Sequence, residues 1–188
     1  MLEFLVEFMT AAIERAATDL EVDLFVWSED FAAETGTLLS VRLFERFLLP
    51  RYLRINDYLR SHGVGAILLE AGGDLNPLLP AIIRAGFTGI SPVQCAAGMD
   101  PLQVRKVYGN DLQMFGGIDH RVLGRDRKAV EQELASKIPA LLDQGGYLPG
   151  LDQRVPPEVP YQSWFSYLTL KRGLLAGTPV AASREVPR

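Results

Sequence analysis

The chain is poor in the residues that build redox and thiolate-metal centres: it has one cysteine and two histidines among 188 residues. Cys95 alone excludes an internal disulfide and fits a reducing compartment. Basic charge is scarce as well. A net charge of −4, with no lysine or arginine block, leaves no field for a phosphate backbone or an anionic bilayer, and argues against nucleic acid and membrane as partners. No uncharged apolar run approaches the ~18 residues that a membrane span needs. The apolar opening MLEFLVEFMTAAIERAATDLEVD carries Glu3, Glu7 and Glu14 and no positive leading segment, so it reads as an amphipathic helix rather than a secretion signal. Leu2, Leu5, Val6, Met9, Ile13, Ala16, Ala17 and Leu20 recur there at helical spacing. The expected location is the cytoplasm. Phosphate-binding Gly-x-Gly-x-x-Gly spacing is also missing, and Gly72-Gly73, Gly116-Gly117 and Gly145-Gly146 read as turns.

What is present is apolar mass in a regular order. With 48% apolar residues the chain can bury one good core, which predicts one domain over residues 1–177; TPVAASREVPR, from Thr178, has no periodicity and predicts a flexible tail over 178–188. Five short apolar runs predict strands at Val22–Ser28, Val64–Leu69, Phe87–Ser91, Leu112–Gly116 and Tyr147–Leu151. Helical patterns alternate with them, capped by Ser40, by Asn76-Pro77, by Asp100-Pro101 and by Asp126. Pro50 and Pro139 fall inside helical patterns and predict kinks. Alternation of this kind predicts an α/β fold with a parallel sheet.

In such an architecture the carboxyl ends of the strands share one face, and that face carries the chemistry. The residues arriving there are Glu29-Asp30, Glu70 with Asp74, Gln94-Cys95, Asp119-His120 and Asp152-Gln153. Polar, mostly acidic groups thus follow every strand. Polar loops and acidic helix starts are common for electrostatic reasons alone; the repetition makes Glu29, Asp30, Glu70, Asp119 and Asp152, with His120 beside them, a candidate acidic cup. Such a cup suits a hard divalent cation, or amine and pyrrole N–H donors. His62, before Gly63, reads as a helix-end residue, Cys95 as a small packing residue, and Met99 and Tyr108 as core.

Three stretches carry a family resemblance: EDFAAETGTLLSVRLFERFLLPRYLRINDYLRSHGV, AGFTGISPVQCAAGMDPLQVRKVYGNDLQMFGGIDHRVLG and GGYLPGLDQRVPPEVPYQSW. Together, over about residues 1–175, they resemble the uroporphyrinogen decarboxylase superfamily, which also holds cobamide-dependent methyltransferases and related demethylases. The resemblance implies a partial (β/α)8 TIM barrel of about five parallel β/α units, the carboxyl-terminal part of a barrel that when complete takes about 250 residues. It also implies a site with departures from pattern. Relatives read Asp-Ser-Asp-Gly where this chain has Glu70-Ala71-Gly72-Gly73, commonly an acid at Gln94, and Asp-His where it has Asp152-Gln153. An amide in place of the histidine can hydrogen-bond but does not titrate near neutral pH. Pro156-Pro157 are expected to start the last helix, with Tyr161, Trp164, Phe165 and Leu168 packing inward.

The resemblance implies roles by position: Asp152 and Glu70 in catalysis, and Glu29, Asp30, Asp119, His120 and Gln153 in substrate binding. The family's thiol-activating zinc site needs His-x-Cys and a second cysteine, and that combination is absent, so no metal is named. The leading expectation is methyl transfer between a small methylated substrate and a corrinoid protein, the corrinoid residing on that partner. Tetrapyrrole decarboxylation without a cofactor is one alternative; its substrate-binding arginines would lie in amino-terminal units this chain lacks. A catalytically silent barrel fragment or binding module is the other. A further expectation is self-association, or a second chain supplying the missing units, because an arc leaves unpaired strand edges.

Overall fold

The computed structural model describes residues 1–177, and the expected tail lies outside the described residues. In chain order come α1 (Leu2–Asp19), β1 (Leu24–Ser28), β2 (Ala32–Ala33), β3 (Gly36–Thr37), α2 (Val41–Leu43), a π-helical turn (Phe44–Leu48) and α3 (Leu49–Ser61). There follow β4 (Ala66–Glu70), α4 (Leu79–Arg84), β5 (Gly89–Val93), α5 (Pro101–Tyr108), β6 (Gln113–Ile118), α6 (Arg127–Leu142), β7 (Tyr147–Leu151) and α7 (Tyr161–Leu175). Short 3₁₀ turns at Cys95–Ala97 and His120–Gly124 follow β5 and β6.

The main sheet runs β1-β4-β5-β6-β7 with every neighbouring pair parallel, the sequential order of an open arc cut from a (β/α)8 barrel. Strand side chains alternate between faces, so register decides which row each residue joins. Trp27, Leu69, Ile90, Met114 and Tyr147 are successive register partners across all five strands, and all are buried. That row is the floor of the main core, on which α3 and α4 lay Tyr52, Ile55, Leu59, Leu79 and Ile82. A second cluster joins Val130, Leu134 and Ile138 of α6 to Tyr167 and Leu170 of α7. Under the helices one polar crosslink is buried: Trp27 Nε1–H donates to Asn56 Oδ1 at 2.9 Å, and Asn56 Nδ2–H donates to the Ala85 carbonyl at 2.9 Å.

Ser40, Asp100 and Asp126 cap their helices, accepting from the backbone N–H of Leu43, Leu102 and Ala129. Other expectations need correction. The helix placed after Asn76-Pro77 begins at Leu79, because Asp74 holds Asn76 in a turn and Pro80 supplies the proline of the first helical positions. Pro50 sits in the first turn of α3, just after the π-helical turn, rather than in a helix interior, whereas Pro139 lies inside α6 as expected and does not break it. The last helix starts at Tyr161 after Pro160, not at the paired prolines. Its inward stripe runs through Trp164, Tyr167, Leu168 and Leu174, leaving Tyr161 and Phe165 exposed on the neighbouring ridge.

Gly116-Gly117 is no turn; it lies inside β6, at φ 88° and 78°. A Cβ on Gly117 would stand 2.9 Å from Pro101 Cγ, so glycine permits both the backbone and the close approach of α5. The strand expected at Phe87–Ser91 is displaced to Gly89–Val93, since Phe87 leaves the ladder for the core. On α1 only Val6 and Ala17 are buried; Phe4, Leu5, Phe8 and Leu20 are exposed, and the expected stripe is half used.

Candidate functional site

Register also builds the opposite face of the sheet. Ser28 pairs with Glu70 and Glu70 with Ser91, which sets in one row two polar side chains that end β1 and β4 and a third in the middle of β5. Glu29, Asp30, Ala71, Gly72 and Pro92 continue from those ends, and Leu151, Asp152, Gln153 and Arg154 enter from β7. These residues line a polar cleft of about 710 Å3, within the usual size range of small-molecule sites. A second cavity, of about 450 Å3, lies between α1, β1 and α3 and is walled by Leu5, Met9, Phe25, Trp27 and Ile55. Its walls are almost wholly apolar. The polar cleft is therefore the candidate site.

Asp152 is the structural centre of the cleft wall. Its side chain is 0% exposed, and its carboxylate accepts from the backbone N–H of His120 (2.8 Å), from His120 Nδ1 (2.8 Å) and from the backbone N–H of Ala96 (3.2 Å). One carboxylate thus ties together the loops after β5, β6 and β7. The ring of His120 faces this carboxylate, so an Asp-His pair forms across two strands although Gln153 stands where relatives carry the histidine next to Asp152. Asp119 is engaged elsewhere. It holds Arg121 through both carboxylate oxygens (2.7–3.1 Å), and that hydrogen bonding keeps its carboxyl below the ordinary range.

The residues expected to meet are therefore divided. Glu29, Asp30, Glu70, Asp152 and Gln153 line the cleft; His120 stands behind it through Asp152, and Asp119 is spent on Arg121. Asp119, His120 and Asp152 do offer one donor atom each within 4.8 Å of one another. The carboxylate oxygens involved are already engaged by guanidinium, imidazole and backbone donors, so the trio is built as a hydrogen-bond network. Asp74 caps the turn at Asn76 and stands outside the lining.

The partners of several of these groups are not written in the local sequence. Glu29 accepts the hydroxyl of Tyr52, 23 residues further on. Burial, followed by the hydrogen bond to Glu29 and then the Glu29 charge, pushes the Tyr52 phenol above its ordinary range and keeps it a donor. Gln94, 4% exposed, accepts from the Gly73 backbone N–H at 2.5 Å and braces the loop after β4. Ser28, the last residue of β1, Ser91, inside β5, and Arg154, three residues beyond β7, also line the cleft, and no sequence motif marks them. Cys95 is half-buried beside Lys137 Nζ (3.3 Å), and Lys137 also reaches Glu133 (2.5 Å) and the Gly117 carbonyl (2.9 Å). Burial pushes the thiol up to about 11 against the pull of Lys137, so near neutral pH it is an uncharged packing group. His62 is the C-cap just after α3, its ring at the Tyr58 carbonyl.

A parallel arc of β/α units with a polar cleft at the carboxyl ends of its strands defines a segment of a (β/α)8-barrel protein. The family profile described as Uroporphyrinogen decarboxylase (URO-D) matches residues 1–167, and the chain belongs to that family. No curated protein matches the sequence. Among solved structures the chain is similar to a methyltransferase from Methanosarcina mazei, at 18% identity and a TM-score of 0.62, over 88% of this chain and 47% of that one. At that identity the likeness is one of fold. This chain spans about half the length of the methyltransferase structure. Among the described residues no helix is long and apolar enough to cross a membrane.

Proposed function

We propose that this chain is the substrate-binding part of a methyl-transferring barrel, taking a small methylated amine in its polar cleft for transfer to a corrinoid protein. The observation that carries the reading is the lining itself, in which Glu29, Asp30, Glu70 and Asp152 surround the cleft and Asp30 and Glu70 are exposed at its mouth. Carboxylates stabilise a bound ammonium group by direct Coulomb attraction, less screened by solvent at the partly buried Glu29 than at the exposed Asp30 and Glu70. Glu70, without a side-chain hydrogen bond among the described residues, is the group assigned to the reacting end of the substrate. Asp152 acts as a positioning residue, holding His120 and the loops around the cleft. The corrinoid would be bound by its own carrier protein and supplies a nucleophilic metal centre; no residue of this chain is assigned to hold it.

Tetrapyrrole decarboxylation is the other activity that family membership brings into question. The charge of the cleft opposes it, because a polycarboxylate would meet four carboxylates and one arginine. Completion of the barrel belongs to the same proposal. Among the described residues β1 and β7 each have one edge without a strand neighbour, and Leu24, Val26 and Leu148 on them are exposed, which supports self-association or pairing with a chain that carries the remaining units. Light scattering at micromolar concentration is expected to report a dimer or larger species. A stable monomer would remove that part of the reading.

The direct test incubates the chain with methylated amines and a reduced corrinoid protein and follows methylation of the cobalt by its visible spectrum. Amine-dependent methylation that Glu70→Gln lowers is the expected result. Absence of both transfer and amine binding would leave the silent binding module as the better account.

A further inference from the structure

The charges of the cleft are segregated by strand. Glu29 and Asp30 follow β1 and Glu70 closes β4 at one end of the arc, whereas Gln153 and Arg154 follow β7 at the other. From β4 to β7 is three inter-strand steps of ~4.8 Å each. Both ends face the same open space, and across it they do not pair: among the described residues Asp30, Glu70 and Arg154 make no ion pair, and the Gln153 amide makes no hydrogen bond. The middle is kept clear by Gly72. A Cβ there would stand 3.2 Å from Gln94 Oε1 and 4.0 Å from Gln153 Nε2, yet the φ of Gly72 is not in the left-handed region, so its lack of a side chain serves space rather than backbone.

We propose that the cleft selects a small zwitterion, an N-methylated amino acid that retains an N–H, with its ammonium among Glu29, Asp30 and Glu70 and its carboxylate on Arg154 and Gln153. This narrows the methylated-amine reading above and rests on it. A simple amine cation would leave the Arg154 guanidinium unpaired and repelling it, and a simple carboxylate would meet the acids; only a molecule bearing both charges answers both ends. Guanidinium takes a carboxylate through two parallel hydrogen bonds, and the free amide beside it adds a third. The retained N–H follows from the lining as well. It contains no aromatic ring of the kind that recognises quaternary ammonium, but several carboxylate acceptors for an N–H donor. The chemistry balances without an added acid: the C–N bond breaks, its electron pair stays on nitrogen as the neutral amine, and the acceptor's own electron pair makes the new bond to the methyl carbon.

Calorimetric titration of the full chain with three probes of one shape tests this: N,N-dimethylglycine, N,N-dimethylethylamine, which lacks the carboxylate, and 3-methylbutanoate, which has carbon in place of nitrogen. N,N-dimethylglycine is expected to bind roughly tenfold or more tighter than either, the value of one charge-assisted hydrogen bond. Arg154→Gln should erase its advantage over the amine, and Glu70→Gln its advantage over 3-methylbutanoate, with circular dichroism showing both variants folded. Equal affinities, a tighter bare amine, an Arg154→Gln chain that still prefers the zwitterion, or no binding by any probe would overturn the inference. Methyl transfer from dimethylethylamine but not from dimethylglycine would overturn it while keeping the methylated-amine reading. Selective dimethylglycine binding without transfer would uphold the selectivity and remove the methyltransferase reading.

Discussion

Replacing Asp152 by asparagine changes one atom's chemistry at the point where three loops meet. The carboxylate is 0% exposed and accepts three hydrogen bonds, from the Ala96 and His120 backbones and from His120 Nδ1. An amide oxygen can keep the two bonds at the His120 side, but both weaken from the charged to the neutral class, a loss of about 1 kcal/mol each. The amide nitrogen then faces the Ala96 N–H as one donor facing another, and an unsatisfied buried donor costs about 1–3 kcal/mol. The sum is about 4 kcal/mol, which for a chain of this length lowers Tm by about 8–16 °C. Scanning calorimetry on the wild-type chain and on Asp152→Asn reads the difference. His120→Gln is the companion measurement: it spares the two backbone bonds and should cost about 1–2 kcal/mol. A drop of less than about 3 °C for Asp152→Asn, or equal losses for the two variants, would refute the assignment of Asp152 as the tie between the loops.

Asn56→Leu should be costly although it keeps the branching and the number of heavy atoms, because it strands the buried Trp27 N–H and the Ala85 carbonyl; about 2–4 kcal/mol is expected in urea titration followed by tryptophan fluorescence, and a neutral result would contradict the crosslink. Cys95 should react slowly with iodoacetamide at pH 8 in the folded chain and quickly in urea, since burial holds its thiol up at about 11. That shift raises the folded-state value above the ordinary 9.0, so the stability it contributes is whole below about pH 9 and declines as pH rises toward 11. Urea midpoints across that window should fall more steeply for the wild-type chain than for Cys95→Ala; parallel curves would count against a buried thiol.

Much of the fold was legible because β/α alternation is written locally. The strand at Tyr147–Leu151 falls where its apolar run does, and Ser40, Asp100 and Asp126 cap their helices as short oxygen-bearing side chains do. Failures cluster where a long-range contact overrides a local cue. Asn76-Pro77 has the form of a helix start but is captured by Asp74; Gly116-Gly117 has the form of a turn but lets Pro101 approach a strand. On α7 the spacing permitted either of two adjacent ridges, and only the position of α6 chose Tyr167 over Phe165.

The candidate site divides along the same line. Local order placed Glu29, Asp30, Glu70, Asp152 and Gln153 just beyond successive strands, and a parallel sheet requires such positions to share one end, so their arrival at one cleft was determined by the sequence alone. What each group does there was decided by the tertiary structure. Whether Asp119 faces a ligand or Arg121, whether His120 pairs with Asp152, and whether Tyr52 reaches Glu29 depend on side-chain directions and on loops brought together from residues 23 to 32 positions apart. Sequence spacing measures distance along the chain, whereas hydrogen bonding and charge act through space over a few ångströms, and only the folded backbone converts one into the other.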